Sequence, residues 1–236
     1  MILSILKYFL NIRHPLIDDY PQVDYMKRYT VWFNSPDGSQ SEYPQVIMPK
    51  RGTVIILPIR GRGKNTKKGP GESYLCWQVL RHHLKGFYDN IALNVGGHRY
   101  VPDLAYIDTE RGIFIDIEND EPYTLAKRIP THTIDGKDNE RNLAILDAGW
   151  IVVRFCERQS FEHPKGCIRL IYDLLHTIDT SIEIPHCLKD VSLVQPVPRW
   201  SYNQARLLAK ENYRMSYMIR HMEWWIYYHI LNWKRN

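Results

Sequence analysis

Apolar positions along the middle of the chain recur at two different spacings, and the switches between them outline the elements. Residues 72–84 (ESYLCWQVLRHHL) set Leu75, Cys76, Val79, Leu80 and Leu84 at helical spacing, which predicts a helix with one apolar face. Residues 87–95, 99–107 and 112–120 predict three consecutive strands, divided by Gly96-Gly97 and by Thr109-Glu110-Arg111-Gly112. Residues 138–148 read as a short helix with Leu143 and Leu146 inward, stopped by Gly149. Residues 150–155 (WIVVRF) are almost wholly apolar, as a central strand covered on both faces should be. Residues 167–178 (CIRLIYDLLHTI) form a further amphipathic helix. The order α-β-β-β-α-β, then α, predicts an α/β (α+β) fold.

The flanks read differently. Residues 1–60 predict a helix and then short β segments at 29–34, 43–48 and 53–59, with Ser35-Pro36-Asp37-Gly38 as a turn. Residues 1–10 (MILSILKYFL) are apolar, but Lys7 interrupts them and no small-residue cleavage site follows, so a buried terminal helix is expected. Residues 60–71 (RGRGKNTKKGPG) lack any apolar anchor and form an exposed loop. That loop is either a solvated hinge or a phosphate-contacting segment acting through Arg60, Arg62, Lys64, Lys67 and Lys68. After a proline-bearing connector at 194–198, a long helix is expected from Ser201, a suitable N-cap. It interleaves Tyr213, Tyr217, Trp224, Trp225, Tyr227, Tyr228 and Trp233 with Arg206, Lys210, Arg214, Arg220, Lys234 and Arg235. Such a helix docks on its own domain, on a second copy or on a partner protein; stacking on nucleic-acid bases is the other use of the pattern. The chain thus divides into an N-terminal extension (1–70), a core (71–180) and a connector with its C-terminal helix (181–236).

Composition narrows this picture only a little. The 236 residues are 44% hydrophobic and 24% charged, which excludes a disordered chain. No apolar run approaches the roughly 20 residues that span a bilayer, so no membrane partner is expected. The four cysteines form no C-x-x-C pair, which argues against a disulfide framework or zinc knuckle and for a reducing, cytoplasmic setting. With 31 Lys+Arg against 26 Asp+Glu the net charge is +5, which permits a polyanionic partner without requiring one.

The chemistry concentrates between residues 101 and 120. Pro102-Asp103 opens one strand, and the next carries Asp116, Glu118 and Asp120 at every second position. Strand residues two apart share a face, so Ile113, Ile115 and Ile117 point into the core and the carboxylates point the other way. Three carboxylates in a row repel one another, and a divalent cation would remove that repulsion; Mg²⁺ (or Mn²⁺) prefers such oxygen ligands. The alternative is a sheet edge with a solvated acidic face. Arg141 and Arg154 each suit bidentate pairing with a phosphate or a carboxylate, and Arg154, ending a buried strand, suits a structural acid. Asp138 reads as a helix N-cap or as the partner of Arg141.

Glu72 on a helix, then Pro102-Asp103, then Glu118-Asn119-Asp120 on the following strand, resembles the PD-(D/E)XK nuclease superfamily. His132, Asp138-x-x-Arg141, Gly149-Trp150 and Val153-Arg154-Phe155 resemble the branch related to very-short-patch-repair endonucleases, in which a histidine and a D-x-x-R segment follow the acidic motif. The resemblance spans residues 72–178. It implies a restriction-endonuclease-like αβββαβ core and a Mg²⁺-dependent endonuclease acting on nucleic acid, DNA in the first instance. It further implies metal ligation by Asp103 and Glu118, aided by Asp120 or Asp116 and by Glu72. His132 becomes the candidate general base or acid, or else a loop histidine capping Thr131 or Thr133, and Arg141 a phosphate contact. The usual motif ends in lysine; here Asp120 stands in that position, or Glu118 if the register is Asp116-Ile117-Glu118. That departure leaves either His132 or a second metal to orient the attacking water, or a domain that binds without cutting.

Overall fold

Ile113–Asp120 is the axis of the molecule, and every one of its residues is buried. One face sends Ile113, Ile115 and Ile117 into a cluster with Leu75, Val79, Ile168, Ile171 and Leu175. The other face sends Phe114 against Trp150, ring centroids 5.2 Å apart, with Ile145 and Val152 completing a second cluster. The alternation read from the sequence is therefore present, but the carboxylate face is covered and not solvated.

The computed structural model describes residues 41–50, 52–61 and 68–221. The helix expected at 1–10, the β segment at 29–34, the turn at 35–38, Arg62, Lys64, Lys67 and the aromatic residues after His221 lie outside them. In chain order the elements begin β1 (Glu42–Tyr43), β2 (Gln45–Ile47), β3 (Ile59–Arg60) and α1 (Pro70–Arg81). Then come β4 (Phe87–Tyr88), β5 (Ile91–Val95), β6 (His98–Tyr100), β7 (Leu104–Asp108) and β8 (Ile113–Asp120). The described residues continue through α2 (Asp138–Asp147), β9 (Ile151–Cys156), α3 (Glu157–Glu162) and α4 (Pro164–Ile178) to β10 (Val197–Pro198), α5 (Tyr202–Lys210), α6 (Tyr213–Met218) and a 3-10 turn at Ile219–His221. A five-stranded sheet has the order β2-β9-β8-β7-β4. Its β8 and β9 are parallel and the remaining pairs antiparallel, so the fold is mixed α/β around a mixed sheet. Parallel neighbours need a crossover connection, and α2 lies within it. Among the described residues no helix is long and apolar enough to cross a membrane. All four cysteines are unpaired thiols, and burial pushes those of Cys76 and Cys156 up to about 12.

Several expectations need correction. The strand expected at 87–95 is two strands: β4 pairs with β7 in the central sheet, whereas β5 lies between β3 and β6 in a separate three-stranded sheet. The strand expected at 99–107 divides likewise at Pro102, which has no N–H for a ladder. Gly96 and Gly97, both with positive φ (56° and 80°), make the two-residue turn that joins β5 to β6. Of the expected 53–59 strand only Ile59 joins a ladder, together with Arg60 beyond it; Ile56 instead donates its N–H to Ala148 O and accepts from Trp150 Nε1. Leu80 and Leu143 are 69% and 48% exposed, not inward. In α2 the buried face is Asn142, Ile145 and Leu146, and at about 100° per residue Leu143 falls on the far side.

Ser201 does cap α5, accepting from Gln204 N at 3.4 Å, but the long C-terminal helix is broken. Asn212 takes a left-handed conformation (φ 53°), which asparagine tolerates better than most residues, and α6 starts afresh. Tyr217 packs on Phe161, which stacks on Tyr74. Arg214, 2% exposed, forks onto Glu157 at 2.6 and 2.5 Å, while Tyr217 OH donates to Glu157 at 2.7 Å. This segment docks on its own domain.

Candidate metal and ion-pair site

Antiparallel pairing of Leu104 with Ile117 brings Asp103, one residue before β7, opposite Glu118 on β8. Asp103 N–H donates to Glu118 Oε1 at 3.2 Å, and Asn119 N–H donates to Asp103 Oδ2 at 2.9 Å. Each carboxylate is thus held by the backbone of the strand carrying the other. Glu72 enters from the first turn of α1, where Pro70 starts the helix and the Glu72 carboxylate accepts Gly69 N–H at 3.1 Å.

Burial, and then the charge of Glu72, hold the Asp103 carboxyl well above the usual carboxylate range, against the Asn119 bond. Burial raises Glu118 too, with Asp116 and Asp103 adding to it and Arg141 opposing. Crowded hard oxygens that resist ionising together are a donor set suited to a divalent cation.

The remaining carboxylates of β8 have cations already. Arg141, from the first turn of α2, donates through Nη1 to Asp116 Oδ2 at 2.7 Å and through Nη2 to Glu118 Oε1 at 2.8 Å. Arg154 on β9, completely buried, forks onto Asp120 at 2.8 and 2.6 Å and sends Nη1 to Asn142 Oδ1 at 2.9 Å. Tyr43 OH adds a third donor to Asp120 at 2.9 Å. Burying two charges is tolerable only with such complete pairing, because an unpaired buried charge costs several kcal/mol.

His132 joins this second group. Its Nδ1 lies 3.1 Å from Asp138 Oδ1 and 3.2 Å from Asp120 Oδ1, with Arg154 Nη2 at 3.3 Å. Burial alone would lower its pKa; the Asp120 charge and the bond and charge of Asp138 outweigh that and hold it at about 9. Asp138 is correspondingly held below the usual carboxylate range: burial alone would raise it, but the His132 bond and the Arg154 charge win. Asp120, His132 and Asp138 offer donor atoms within 4.8 Å of one another, a geometry a metal can use. The Arg154 guanidinium occupies that corner, however, reaching Asp138 at 3.5 Å as well.

No protein-family model, curated protein or solved structure matches the chain. The site must be judged on its own geometry.

That geometry divides the residues singled out from the sequence. Asp103 and Glu118 come together, with the charge of Glu72 acting on Asp103, although among the described residues it is Asp120, His132 and Asp138 that bring three donor atoms within 4.8 Å of one another. Asp116 and Asp120 are engaged by arginines; His132 lies with Asp120 and Asp138; Arg141 lies among the acids. Of the basic loop, Arg60 is exposed at the end of β3 and Lys68 forms an ion pair with Asp89. Arg154 pairs with a structural acid, as expected. Sequence reasoning missed Tyr43 and Asn142. Asn142 directly follows the D-x-x-R segment, a signal that was there to use, whereas nothing local marks Tyr43.

Proposed function

We propose that the chain is a divalent-metal-dependent nuclease with a restriction-endonuclease-like core, hydrolysing phosphodiester bonds, DNA in the first instance. The observation that carries the reading is the juxtaposition of Asp103 and Glu118, each fixed by the other strand's backbone and both kept from ionising freely by burial and neighbouring acids. Asp103 and Glu118 would hold the ion, with Glu72 as a further ligand or as an acceptor behind them. The chemistry a divalent cation supplies there is polarisation of a phosphoryl oxygen and acidification of the attacking water. Asp116 and Asp120 act as anchors for Arg141 and Arg154. His132 carries its proton at neutral pH and is partly exposed, so its role in this reading is to give a proton to the leaving oxygen, not to take one from water. Exposed Arg60 would meet the nucleic-acid backbone.

The test is incubation of supercoiled plasmid with Mg²⁺ or Mn²⁺ and with EDTA, beside Asp103→Ala and Glu118→Ala. Metal-dependent nicking that both substitutions abolish is the expected result. Failure to cut any DNA or RNA, with no metal uptake by calorimetry, refutes it. In that event a non-catalytic nuclease-fold module is the reading to adopt. Its support is that Asp120, standing where the motif lysine belongs, has both oxygens clamped by Arg154, while Arg141 sits on Glu118.

A further inference from the structure

Two arginines serve the same acidic face, and they are held very differently. Arg154 is locked: no part of it is exposed, and Asp120, Asn142 and the neighbouring Asp138 surround it. Arg141 is the outer one, its side chain 19% exposed, and it spans two carboxylates. Nη1 holds Asp116, which is wholly buried, while Nη2 holds Glu118 at 2.8 Å and reaches Val101 O at 3.3 Å. The Glu118 oxygen it takes, Oε1, is the same one that accepts Asp103 N–H. That oxygen has two lone pairs, and two donors take them, Asp103 N–H and Arg141 Nη2. A cation shared between Asp103 and Glu118 therefore competes with the guanidinium for one carboxylate. It would also meet the positive charge of the guanidinium beside it, and that repulsion works against its binding.

We propose that Arg141 is the resident rival of the metal: it closes the metal-free site by bridging Asp116 and Glu118, and it releases Glu118, pivoting on Asp116, when a divalent ion binds. The proposal rests on the metal-dependent reading above. It assigns each acid a different task. Asp116 keeps the guanidinium from leaving, and Glu118 is handed from one cation to another. The released Nη2 then lies beside the metal ligands at the partly exposed rim, with donors suited to a phosphate oxygen. The order of assembly follows: metal first, phosphate second. Without the metal, Arg141 spends its donors on Asp116 and Glu118, and phosphate affinity at the rim is low.

The experiment is calorimetric titration of metal-free protein with Mn²⁺ alone at pH 8, comparing wild type, Arg141→Gln, Arg141→Lys and Asp103→Ala. Arg141→Gln should bind Mn²⁺ about tenfold more tightly or better, since a like charge and a competitor have gone. Arg141→Lys should fall between, because an ammonium cannot fork onto both acids. Equal or weaker affinity in Arg141→Gln means that Arg141 merely positions Glu118, and overturns the proposal. Should Arg141→Gln fail to fold, the wild type still decides the matter by NMR. The Arg141 guanidinium protons should be protected from solvent exchange in EDTA and lose that protection on saturation with Mg²⁺; unchanged protection overturns it equally. Wild type that takes up no Mn²⁺, or Asp103→Ala that takes it up as well as wild type, removes the metal-dependent reading itself. Those results are distinguishable from failure of the Arg141 claim alone.

Discussion

His132 offers a prediction that depends on the ion-pair geometry and on nothing about catalysis. Its ring is flanked by Asp120 at 3.2 Å and Asp138 at 3.1 Å, with the charge of Glu121 also facing it and Arg154 opposing. Its pKa in the folded protein is held at about 9, against 6.5 for the ordinary side chain. A group whose folded pKa is raised contributes stability that is fully present below the unfolded pKa and is lost as pH climbs through the folded one. The window is therefore pH 6.5 to 9. A difference of about 2.5 units corresponds to about 3 kcal/mol, an upper figure because a quarter of the side chain is exposed and the pairing is shared among several charges. The perturbation is His132→Gln; any change in backbone preference at φ 48° is independent of pH and cancels from the pH dependence of the gap. The assay is urea unfolding of both proteins in EDTA at pH 6, 7.5 and 9.5. Wild type should exceed the variant most at pH 6, and the gap should shrink by 2 to 3 kcal/mol by pH 9.5, roughly the full linkage energy. Buried thiols titrate alike in both proteins and cancel. A gap that stays constant, or widens with pH, would show that no protonated imidazole sits between the two aspartates.

Other substitutions separate fixed pairs from frustrated ones. Arg154→Met should lose about 3 to 5 kcal/mol, because Asp120 is left buried without its partner, and Arg154→Met/Asp120→Leu should recover much of that in the same urea assay. Arg214→Met should cost a similar amount, since Glu157 loses its fork, and limited trypsinolysis at Arg206 or Lys210 should become faster as α6 undocks. Asp103→Asn should do the reverse and stabilise the metal-free protein at pH 7.5. A carboxyl with a raised folded pKa costs stability above its unfolded pKa, near 4, and the amide oxygen can still accept from Asn119; a lower melting temperature in EDTA would contradict this.

The sequence carried the covalent rhythm of the fold but not its pairings. Period-two isoleucines at 113, 115 and 117 and the apolar run from Trp150 are local signals, and burial followed them on both faces of the sheet. Strand division at Pro102 was also written locally, in a missing N–H, yet apolar residues on either side masked it. The broken C-terminal helix turns on one asparagine among good helix formers, too weak a signal to stop the pattern. The carboxylates were legible as a face and illegible as partners. Asp116 meets Arg141 across 25 positions, Asp120 meets Arg154 across 34, and Tyr43 reaches Asp120 across 77. Repulsion among three acids on one strand was a sound inference; which cation relieves each of them is a tertiary fact.

That tertiary fact sorts the acidic face by how exchangeable each counter-charge is. Asp120 has a buried guanidinium fork, a buried phenol and a partly exposed imidazole, so replacing that set with an ion would require unpairing Arg154 in the interior. Glu118 has one guanidinium arm at the rim, and its own neighbours Asp103 and Asp116 work against its ionisation. A lysine at the position of Asp120 would meet Arg154 and His132 head on, like charge against like. On the proposed nuclease reading, the acid in place of the motif lysine and the buried arginine belong to one exchange of charge, and the place that reading leaves for a cation is Asp103 and Glu118, with Arg141 the group that would have to move.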